Sequence, residues 1–345
     1  MIPALAIGRE LRDAAGAEVR FVGTERGLET RLVPEAGFPL ELIHVGQLKN
    51  VTLATRLRTL TDLPRGLTRC VSLLRSFRPQ VVIGVGGYAS GPAMMAAILL
   101  RIPTLAFEPN AVPGLANRLV GKFVTAAAVN FPTTRKFFRG AQVTGIPVRC
   151  TFFDIQSKSE GAAPRLLVFG GSQGARVLND VMPKIVAPLL AGFPELTIVH
   201  QTGPHGEITT RDAYTSSGAD STRWQVSTYL DDMPCQFAEA DLILCRSGAS
   251  TMAELGAAGK PSILIPFPRA ADDHQRKNAE VFAEAGAAVM VLESAMEPEM
   301  LFVHLRNLLS NATQLHRMST RARTLALPDA LQVIGRMAVK IARKH

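Results

Sequence analysis

Two turns rich in glycine and hydroxyl side chains, both in the second half of the chain, have the residue types that bind phosphate. Residues 170–175, Gly-Gly-Ser-Gln-Gly-Ala, follow an apolar run that predicts a strand. Small residues there allow backbone N–H groups and the Ser172 hydroxyl to approach an anion at the start of a helix. Residues 246–255 follow a second predicted strand and supply three hydroxyl side chains before a helix. The pair favours a diphosphate ligand, and Glu254 is placed to accept hydrogen bonds from a ribose diol. The competing interpretation is a plain helix N-cap in which Glu254 completes a capping box.

Two further polar segments also follow predicted strands. Residues 266–275 carry two aspartates, a histidine and Gln275 at a strand's carboxyl end, where they would bind sugar hydroxyls or simply begin a solvated helix. Residues 108–118 contain three helix breakers and two amide side chains. Because buried amides are costly unless they are hydrogen-bonded, this loop is a second candidate binding segment.

A different chemistry is indicated by residues 84–89, which fit the pattern G-x-G-x-x-A. Glu108 ends the next predicted strand, 24 residues after Gly84, where a dinucleotide-binding fold places an acid on the ribose. The motif lies in the middle of its domain and not at the first strand-to-helix turn. The motif leaves two interpretations open. One is an NAD-dependent oxidoreductase as an alternative function, and the other is a glycine-rich packing turn that lets a helix begin close to a strand.

The elements that must position these residues alternate along the chain. Short apolar runs predict strands, and amphipathic stretches with helical spacing separate them, which is typical of parallel sheets covered on both faces. We predict two doubly wound α/β domains, residues 1–150 and 151–329, joined by a polar segment near 149–164. An apolar stripe over residues 331–341 predicts a terminal helix. The predicted strands are residues 19–23, 81–85, 104–107, 165–170, 196–200, 242–245, 262–265 and 288–291.

Length and composition exclude several classes of protein. The 345 residues suffice for two domains, and the 47% hydrophobic content is too high for a disordered chain. No apolar run approaches the roughly 20 residues of a membrane-spanning helix, and no signal peptide is recognised. The four cysteines form no CxxC pair, which argues against a zinc site or disulfide framework and fits a reducing cytoplasm.

The net charge of +9 is unevenly distributed. Residues 1–150 carry 19 Lys/Arg and 9 Asp/Glu, a balance of +10, whereas residues 151–345 carry 19 and 20, a balance of −1. This excludes a uniformly basic nucleic-acid coat and suggests that one domain faces an anion. Residues 49–80 hold seven Lys/Arg and one acid among leucines at helical spacing. That stretch predicts either a membrane-surface helix or a solvated helix face.

Taken together, these blocks resemble the MurG family of N-acetylglucosaminyltransferases over nearly the whole chain and in the same order. The matching segments are GGYASGP (86–92), EPNAVPGLANR (108–118), TGIPVR (144–149), GGSQGAR (170–176), DDM (231–233), CRSGA (245–249) and ADDHQ (271–275). The resemblance implies two Rossmann-like domains facing across a cleft, the GT-B arrangement. It also implies that helix 330–345 returns to the first domain, which would sharpen the charge division to +14 against −5.

The family's activity would be an inverting transfer of GlcNAc from UDP-GlcNAc to the 4-hydroxyl of MurNAc in undecaprenyl-pyrophosphoryl-MurNAc-pentapeptide (lipid I), giving lipid II for peptidoglycan. The resemblance implies no cofactor, no metal and no nucleic-acid partner. It places the protein peripherally on the cytoplasmic face of the bacterial inner membrane, held to anionic lipid by the basic domain, with cell-wall synthesis proteins as further partners. Helix N-termini and an arginine suit the charge that develops on a diphosphate leaving group.

Site residues follow from the resemblance by position. Ser172 and Arg149 would contact the diphosphate, Glu254 the ribose, and the backbone of Leu230 the uracil. Glu108 is the candidate general base, and Tyr88 and Asn179 would support the cleft. The expected UDP-GlcNAc-binding set is Asn110, Arg149, Ser172, Leu230, Ala249, Ser250, Thr251, Met252, Ala253, Glu254 and Gln275.

The sequence also departs from the family pattern. Pro109 and Ile146 stand where the family usually has Gln and Asn. The family opens with a strand and a glycine-rich loop ending in His, just before the segment that here begins at Ile2. We expect a mis-assigned start or a truncation, with an impaired enzyme as the third explanation. A non-catalytic, membrane-associated scaffold is the corresponding alternative function.

Overall fold

The chain forms two compact units in a computed structural model that describes residues 1–25, 27–44, 53–87, 89–156, 158 and 161–343, with only the backbone described for 53–63. Unit 1 comprises Met1–Pro147 and Leu327–His345, and unit 2 comprises Val148–Ala326. The division after Pro147 differs from the predicted boundary at residue 150, and it transfers Arg149 to unit 2. By these boundaries unit 1 carries 22 Lys/Arg and 10 Asp/Glu, a net +12, and unit 2 carries 16 and 19, a net −3.

Unit 1 is built from parallel strands and the helices that connect them. Strands β1 and β2 pair with each other, and a separate four-stranded parallel sheet has the order β3-β4-β5-β6. Its elements are α1 (Ile2–Ala15), β1 (Phe21–Gly23), α2 (Glu29–Glu35), β2 (Leu40–Leu42), α3 (Leu53–Phe77), β3 (Val82–Gly84), α4 (Ser90–Leu99), β4 (Thr104–Glu108), α5 (Leu115–Val120), β5 (Ala126–Val129) and β6 (Ala141–Val143), and the terminal helix, α14, which belongs to this unit, is Ala330–Ala342.

The terminal helix packs on the first helix of the same unit. Ile334, Ala338 and Ile341 form the buried stripe of α14, in agreement with the apolar spacing in the sequence. The side chain of Glu10 on α1 approaches Gly335, where a Cβ would lie 3.0 Å from its Cγ. A glycine at this position therefore permits the two helices to lie close together.

Unit 2 is a single six-stranded parallel sheet with helices on both faces. The strand order is β12-β11-β10-β7-β8-β9. Its elements are α6 (Cys150–Phe153), β7 (Arg165–Phe169), α7 (Arg176–Gly192), β8 (Thr197–Gln201), α8 (Glu207–Ser216), β9 (Trp224–Ser227), α9 (Met233–Glu239), β10 (Leu242–Cys245), α10 (Ala249–Ala258), β11 (Ser262–Leu264), α11 (His274–Glu284), β12 (Ala288–Met290), α12 (Pro298–Leu309) and α13 (Ala312–Thr324).

The central strand β7 shows why continuous apolar runs mark this sheet. Leu166 and Val168 enter one hydrophobic core and Leu167 and Phe169 enter the other, because successive side chains point to opposite faces. Four strands were not predicted from the sequence: β2, β5, β6 and β9. They are three or four residues long, and the β5 sequence, Ala-Ala-Ala-Val, carries little strand signal.

Candidate functional site

The two predicted phosphate-binding turns meet at the switch point of the unit 2 sheet. The chain runs from β7 outward through β8 and β9, and then returns to place β10 on the other side of β7. Cys245, at the end of β10, pairs in register with Phe169, at the end of β7. The turns that follow these two residues therefore lie side by side at the carboxyl edge, where open α/β sheets bind ligands.

The first turn, residues 170–175, is shaped by glycines in the left-handed region. Gly171 has φ +81° and Gly174 has φ +73°, and a Cβ on Gly174 would overlap the carbonyl oxygen of Thr202. No side chain caps the start of α7, and Ser172 is exposed. The turn thus presents backbone N–H groups, a hydroxyl and the positive end of a 17-residue helix to one place.

Asn179 lies near the start of α7, the helix that follows this turn. Its Nδ2 donates to the carbonyl oxygen of Thr202 at 3.1 Å, and its buried Oδ1 has no partner among the described residues. The family resemblance assigns Asn179 a role in supporting the cleft, which stays a prediction; the side-chain bond in the structure goes to the segment after β8. Tyr88, the other predicted support, lies outside the described residues.

The second turn leads into α10, whose N-cap is Gly248 in an extended conformation without a side-chain cap. Counting from Gly248, Glu254 is the sixth residue of the helix and not the third, so it cannot complete a capping box. Met252 is fully buried in the core, so only its backbone is available to a ligand. The side chain of Ser250, in contrast, is exposed.

Glu254 and Arg149 form the electrostatic centre of this turn. Burial raises the pKa of Glu254 from 4.5 to about 7, and the charge of Arg149 offsets part of the shift. Arg149 is exposed, and its guanidinium lies 5.2 Å from the ring centroid of Phe152. The pKa of Asp232 is lowered mainly by its hydrogen bonds with Cys235, and the charge of Arg149 lowers it further. The cation that the sequence assigned to the first domain is therefore a neighbour of the second turn.

The segment 266–275 is tied to the second turn by hydrogen bonds. Ser247 Oγ donates to the carbonyl oxygen of Gln275 at 2.8 Å, and Asn278 Nδ2 donates to the carbonyl oxygen of Ser247 at 3.2 Å. Gln275 Oε1 accepts from the N–H of Phe267 at 3.0 Å. Ser247 thus ties Gln275 to the second turn, and Asn278 in turn bonds Ser247, roles that their spacing in the sequence does not reveal.

Leu230 and Gln201 form a contact that sequence reasoning missed. Leu230 follows β9, and its backbone N–H donates to Gln201 Oε1 at 3.1 Å. Gln201 is the last residue of β8 and is 3% exposed. A buried polar side chain at the end of an apolar strand is the signal that would have identified it.

Glu108 in unit 1 is saturated with hydrogen bonds. Oε1 accepts from the backbone and side-chain nitrogens of Asn110 at 3.0 and 3.1 Å. Oε2 accepts from Gly114 N at 3.1 Å and Asn117 Nδ2 at 3.0 Å. Burial raises the pKa of this carboxyl, while the four donors lower it, and the residue is 2% exposed.

This geometry makes Glu108 the organiser of its own loop and does not favour the expected base role. A general base needs a lone pair within reach of the acceptor hydroxyl, and both oxygens are already engaged inside the loop. The same bonds argue against a ribose-binding acid in a dinucleotide site. Gly84 instead provides close packing, because a Cβ there would meet the side chains of Met94 and Ser90.

In the described part of the chain, neither a membrane-spanning helix nor a metal centre is found. None of its helices combines the length and apolar character needed to cross a bilayer. Over the same residues, no group of three or more His, Cys, Asp or Glu side chains is arranged to hold a metal ion.

Comparisons with known proteins agree with this architecture. The glycosyltransferase family 28 N-terminal domain matches residues 1–129, and the family 28 C-terminal domain matches residues 165–334. A UDP-N-acetylglucosamine–N-acetylmuramyl-(pentapeptide) pyrophosphoryl-undecaprenol N-acetylglucosamine transferase from Solibacter usitatus is 44% identical, over 99% of this chain and 93% of that protein. The enzyme of the same name from Myxococcus xanthus is 42% identical over 94% and 85%.

Solved structures of other proteins share the fold of this chain. The crystal structure of Acinetobacter baumannii MurG aligns with a TM-score of 0.80 and 31% identity, covering 98% of this chain and 95% of that one. A UDP-GlcNAc 2-epimerase from Neisseria meningitidis bound to UDP-GlcNAc aligns with a TM-score of 0.69 at 12% identity, over 100% and 96% of the two chains, which is a likeness of fold alone.

Proposed function

We propose that this chain, which belongs to the MurG family of glycosyltransferases, transfers N-acetylglucosamine from UDP-N-acetylglucosamine to the 4-hydroxyl of undecaprenyl-pyrophosphoryl-MurNAc-pentapeptide. The observation that carries the proposal is the pair of phosphate-type turns in register at the switch point of unit 2, with Glu254 and Arg149 beside the second turn. The full-length relatives named for this reaction support the choice of donor and acceptor.

The diphosphate of the donor is assigned to the two helix starts. Backbone N–H groups at the beginnings of α7 and α10, with Ser172 and Arg149, would surround the phosphate oxygens. As the bond between the anomeric carbon and the diphosphate breaks, negative charge grows on UDP, and these donors stabilise it without reorganisation. The acceptor hydroxyl forms the new bond with inversion and passes its proton to a base.

The uracil is assigned to the backbone of Leu230. Because the N–H of Leu230 already donates to Gln201, the carbonyl oxygen is the group left to contact the base. A carbonyl accepts a hydrogen bond from uracil N3–H, whereas cytosine has an acceptor at N3 and would leave the carbonyl unpaired. We therefore expect UDP to bind more tightly than CDP, by about tenfold.

The sugar is assigned to Gln275, and the ribose to Glu254. Gln275 is fixed through its Oε1 and its carbonyl oxygen, so its Nε2 has a defined position. Glu254, with a pKa of about 7, offers both an acceptor and a proton to the ribose diol near neutral pH. Asn110 belongs to unit 1, where it is bonded to Glu108, and its contact with the donor stays a prediction.

Unit 1 is assigned to the lipid acceptor and to an anionic membrane surface. Leu99, Leu119 and Phe123 are 64%, 57% and 68% exposed. Helices α4 and α5 both cross over between neighbouring parallel strands, so their C-terminal ends lie at one edge of the unit. Arg101 and Lys122 accompany the apolar side chains at this edge, within a unit of net charge +12. Exposed apolar residues accompanied by cations suit the surface of an anionic bilayer.

The donor proposal is tested by thermal shift and by transfer. UDP-GlcNAc should raise the melting temperature of the chain, and Glu254→Ala should reduce that rise, whereas Glu195→Ala, at an exposed position of the same unit, should not. Labelled GlcNAc should appear on a lipid I analogue. A chain that neither shifts with any UDP-sugar nor transfers the label would refute the proposed function.

The membrane proposal needs its own experiment. Charge reversal of Arg65, Arg69 and Arg75 on α3, or Phe123→Asp at the apolar edge, should reduce co-sedimentation with vesicles containing phosphatidylglycerol. Charge reversal of Arg306 and Arg317 in unit 2 is the control. If the unit 1 variants bound such vesicles as tightly as the wild type, unit 1 would not be the membrane face.

A further inference from the structure

Gln201 lies between the two loops to which the ends of a nucleoside diphosphate have been assigned. It is the last residue of β8, which runs between β7 and β9, and it pairs in register with Phe169 on one side and Ser227 on the other. The strand end therefore faces the turn after β7 and the segment after β9 at once. At 3% exposure the side chain lies beneath both.

The amide of Gln201 uses each of its ends on a different loop. Nε2 donates to the carbonyl oxygen of Gly171 at 3.0 Å, in the first phosphate turn. Oε1 accepts from the N–H of Leu230 at 3.1 Å, in the segment assigned to the uracil. The reverse orientation of the amide would set an acceptor against the Gly171 carbonyl and a donor against the Leu230 N–H. The two partners therefore select one orientation.

The main chain around Gln201 already joins the segments that follow β8 and β9. Thr202 N donates to Ser227 O at 3.0 Å, and Gly203 N donates to Thr228 O at 3.1 Å. These bonds do not reach the turn after β7. Gln201 extends the connection to Gly171, and so links the phosphate turn to the Leu230 segment.

We propose that Gln201 is a positioning residue for the donor nucleotide: its side-chain amide holds the phosphate turn at Gly171 and the base segment at Leu230 at the spacing that a uridine diphosphate spans. The inference rests on the proposed donor site. A ligand that touches both loops gains from their fixed spacing, because less of its binding free energy is used in ordering them. A ligand that touches one loop gains little.

The test compares a spanning ligand with a fragment of it. Gln201→Met keeps the length of the side chain and removes both hydrogen bonds. We expect its affinity for UDP, measured by titration calorimetry, to fall about tenfold, and its affinity for uridine to fall less than about threefold. Gln225→Met is the matched control on β9, because Gln225 is exposed and the side-chain hydrogen bond described for it goes to Ser227 Oγ in the same strand. Its affinity for UDP should equal that of the wild type.

A second variant and a second measurement guard against misfolding. Gln201→Glu retains the acceptor for Leu230 N–H and loses the donor to Gly171. We expect it to keep slow hydrogen exchange at the Leu230 amide while losing UDP affinity as Gln201→Met does. Equal losses for UDP and uridine in both variants, or unchanged UDP affinity, would overturn the inference while the donor site stands. If the wild type bound no UDP, the proposed function itself would fail.

Discussion

Glu254 is the residue whose replacement tests the described site most directly. Burial raises the pKa of its carboxyl from 4.5 to about 7, although the positive charge of Arg149 lowers the pKa in part. Between these pH values the folded chain holds a proton that the unfolded chain has lost. The free energy of unfolding therefore falls as the pH rises through this window, and the fall is complete above pH 7. Glu254→Gln keeps the shape of the side chain and removes its ionisation, so the variant should lack the fall.

The size of the effect follows from the two pKa values. Each tenfold difference in acid dissociation constant corresponds to about 1.4 kcal/mol, so the wild type should lose about 3 kcal/mol relative to the variant across the window. His200 acts in the opposite direction. Burial lowers its pKa from 6.5 to about 3, so it adds stability as the pH rises between those values. Because both chains contain His200, the difference between the wild type and the variant isolates Glu254.

Urea unfolding at several pH values from about 5 to about 8 provides the measurement. Trp224 is the single tryptophan of the chain, it belongs to unit 2, and its ring centroid lies 5.2 Å from that of Tyr214, so its fluorescence reports the unit that contains Glu254. We expect Glu254→Gln to become more stable than the wild type by about 2–3 kcal/mol as the pH rises. The exposed control, Glu195→Gln, should follow the wild type. Parallel curves for Glu254→Gln and the wild type would refute the burial argument.

Three further substitutions test other parts of the structure. Gly174→Ala should lower the free energy of unfolding by about 3 kcal/mol or more, because a Cβ there overlaps Thr202 and the backbone has φ +73°. Gly192→Ala is the control and should leave the free energy of unfolding nearly unchanged, because a Cβ there meets nothing within 4 Å. Urea unfolding measures both variants. Glu108→Gln places an amide N–H₂ against two N–H donors and should lower the free energy of unfolding by about 2 kcal/mol. Calorimetry should then show a melting temperature lower by about 4–8 °C. An unchanged melting temperature would mean that the four hydrogen bonds do not order the loop. Burial lowers the pKa of Lys260 to about 8, whereas the lysines of the unfolded chain remain protonated above that pH. The free energy of unfolding of the wild type should therefore rise as the pH increases above about 8. Lys260→Met should not show this rise in unfolding curves recorded from about pH 7 to about pH 10.

Much of unit 2 could be predicted from its sequence because local signals agree there. Apolar runs such as 165–170 mark strands buried on both faces, and the small residues after them mark turns where a helix starts close to a ligand. What the sequence does not contain is the order of the strands. That order sets the turn after β10 beside the turn after β7, although the two lie far apart in the chain.

Three residues show what local patterns leave out. Glu108 is an acid at a strand end, which fits a base or a ribose ligand equally well. Its four donors come from the loop that follows it, and only the folded loop reveals that they use both oxygens. Arg149 is basic and adjoins a basic domain, yet the chain has already entered unit 2 at that point. Gln201 ends a short strand of mostly apolar residues, and its role depends on two partners in the loops that follow two other strands.

The return of α14 to unit 1 has a consequence for biogenesis. Unit 2 is one continuous stretch, Val148–Ala326, so all of it can leave the ribosome before the terminal helix is synthesised. The apolar surface of α1 that α14 covers therefore stays exposed while the whole intervening unit is translated. Closing contacts between residues so distant in sequence is slow, and exposed apolar surface favours aggregation. We therefore expect unit 1 to complete its folding after unit 2, and an extension at the C-terminus to disturb unit 1 before it disturbs unit 2.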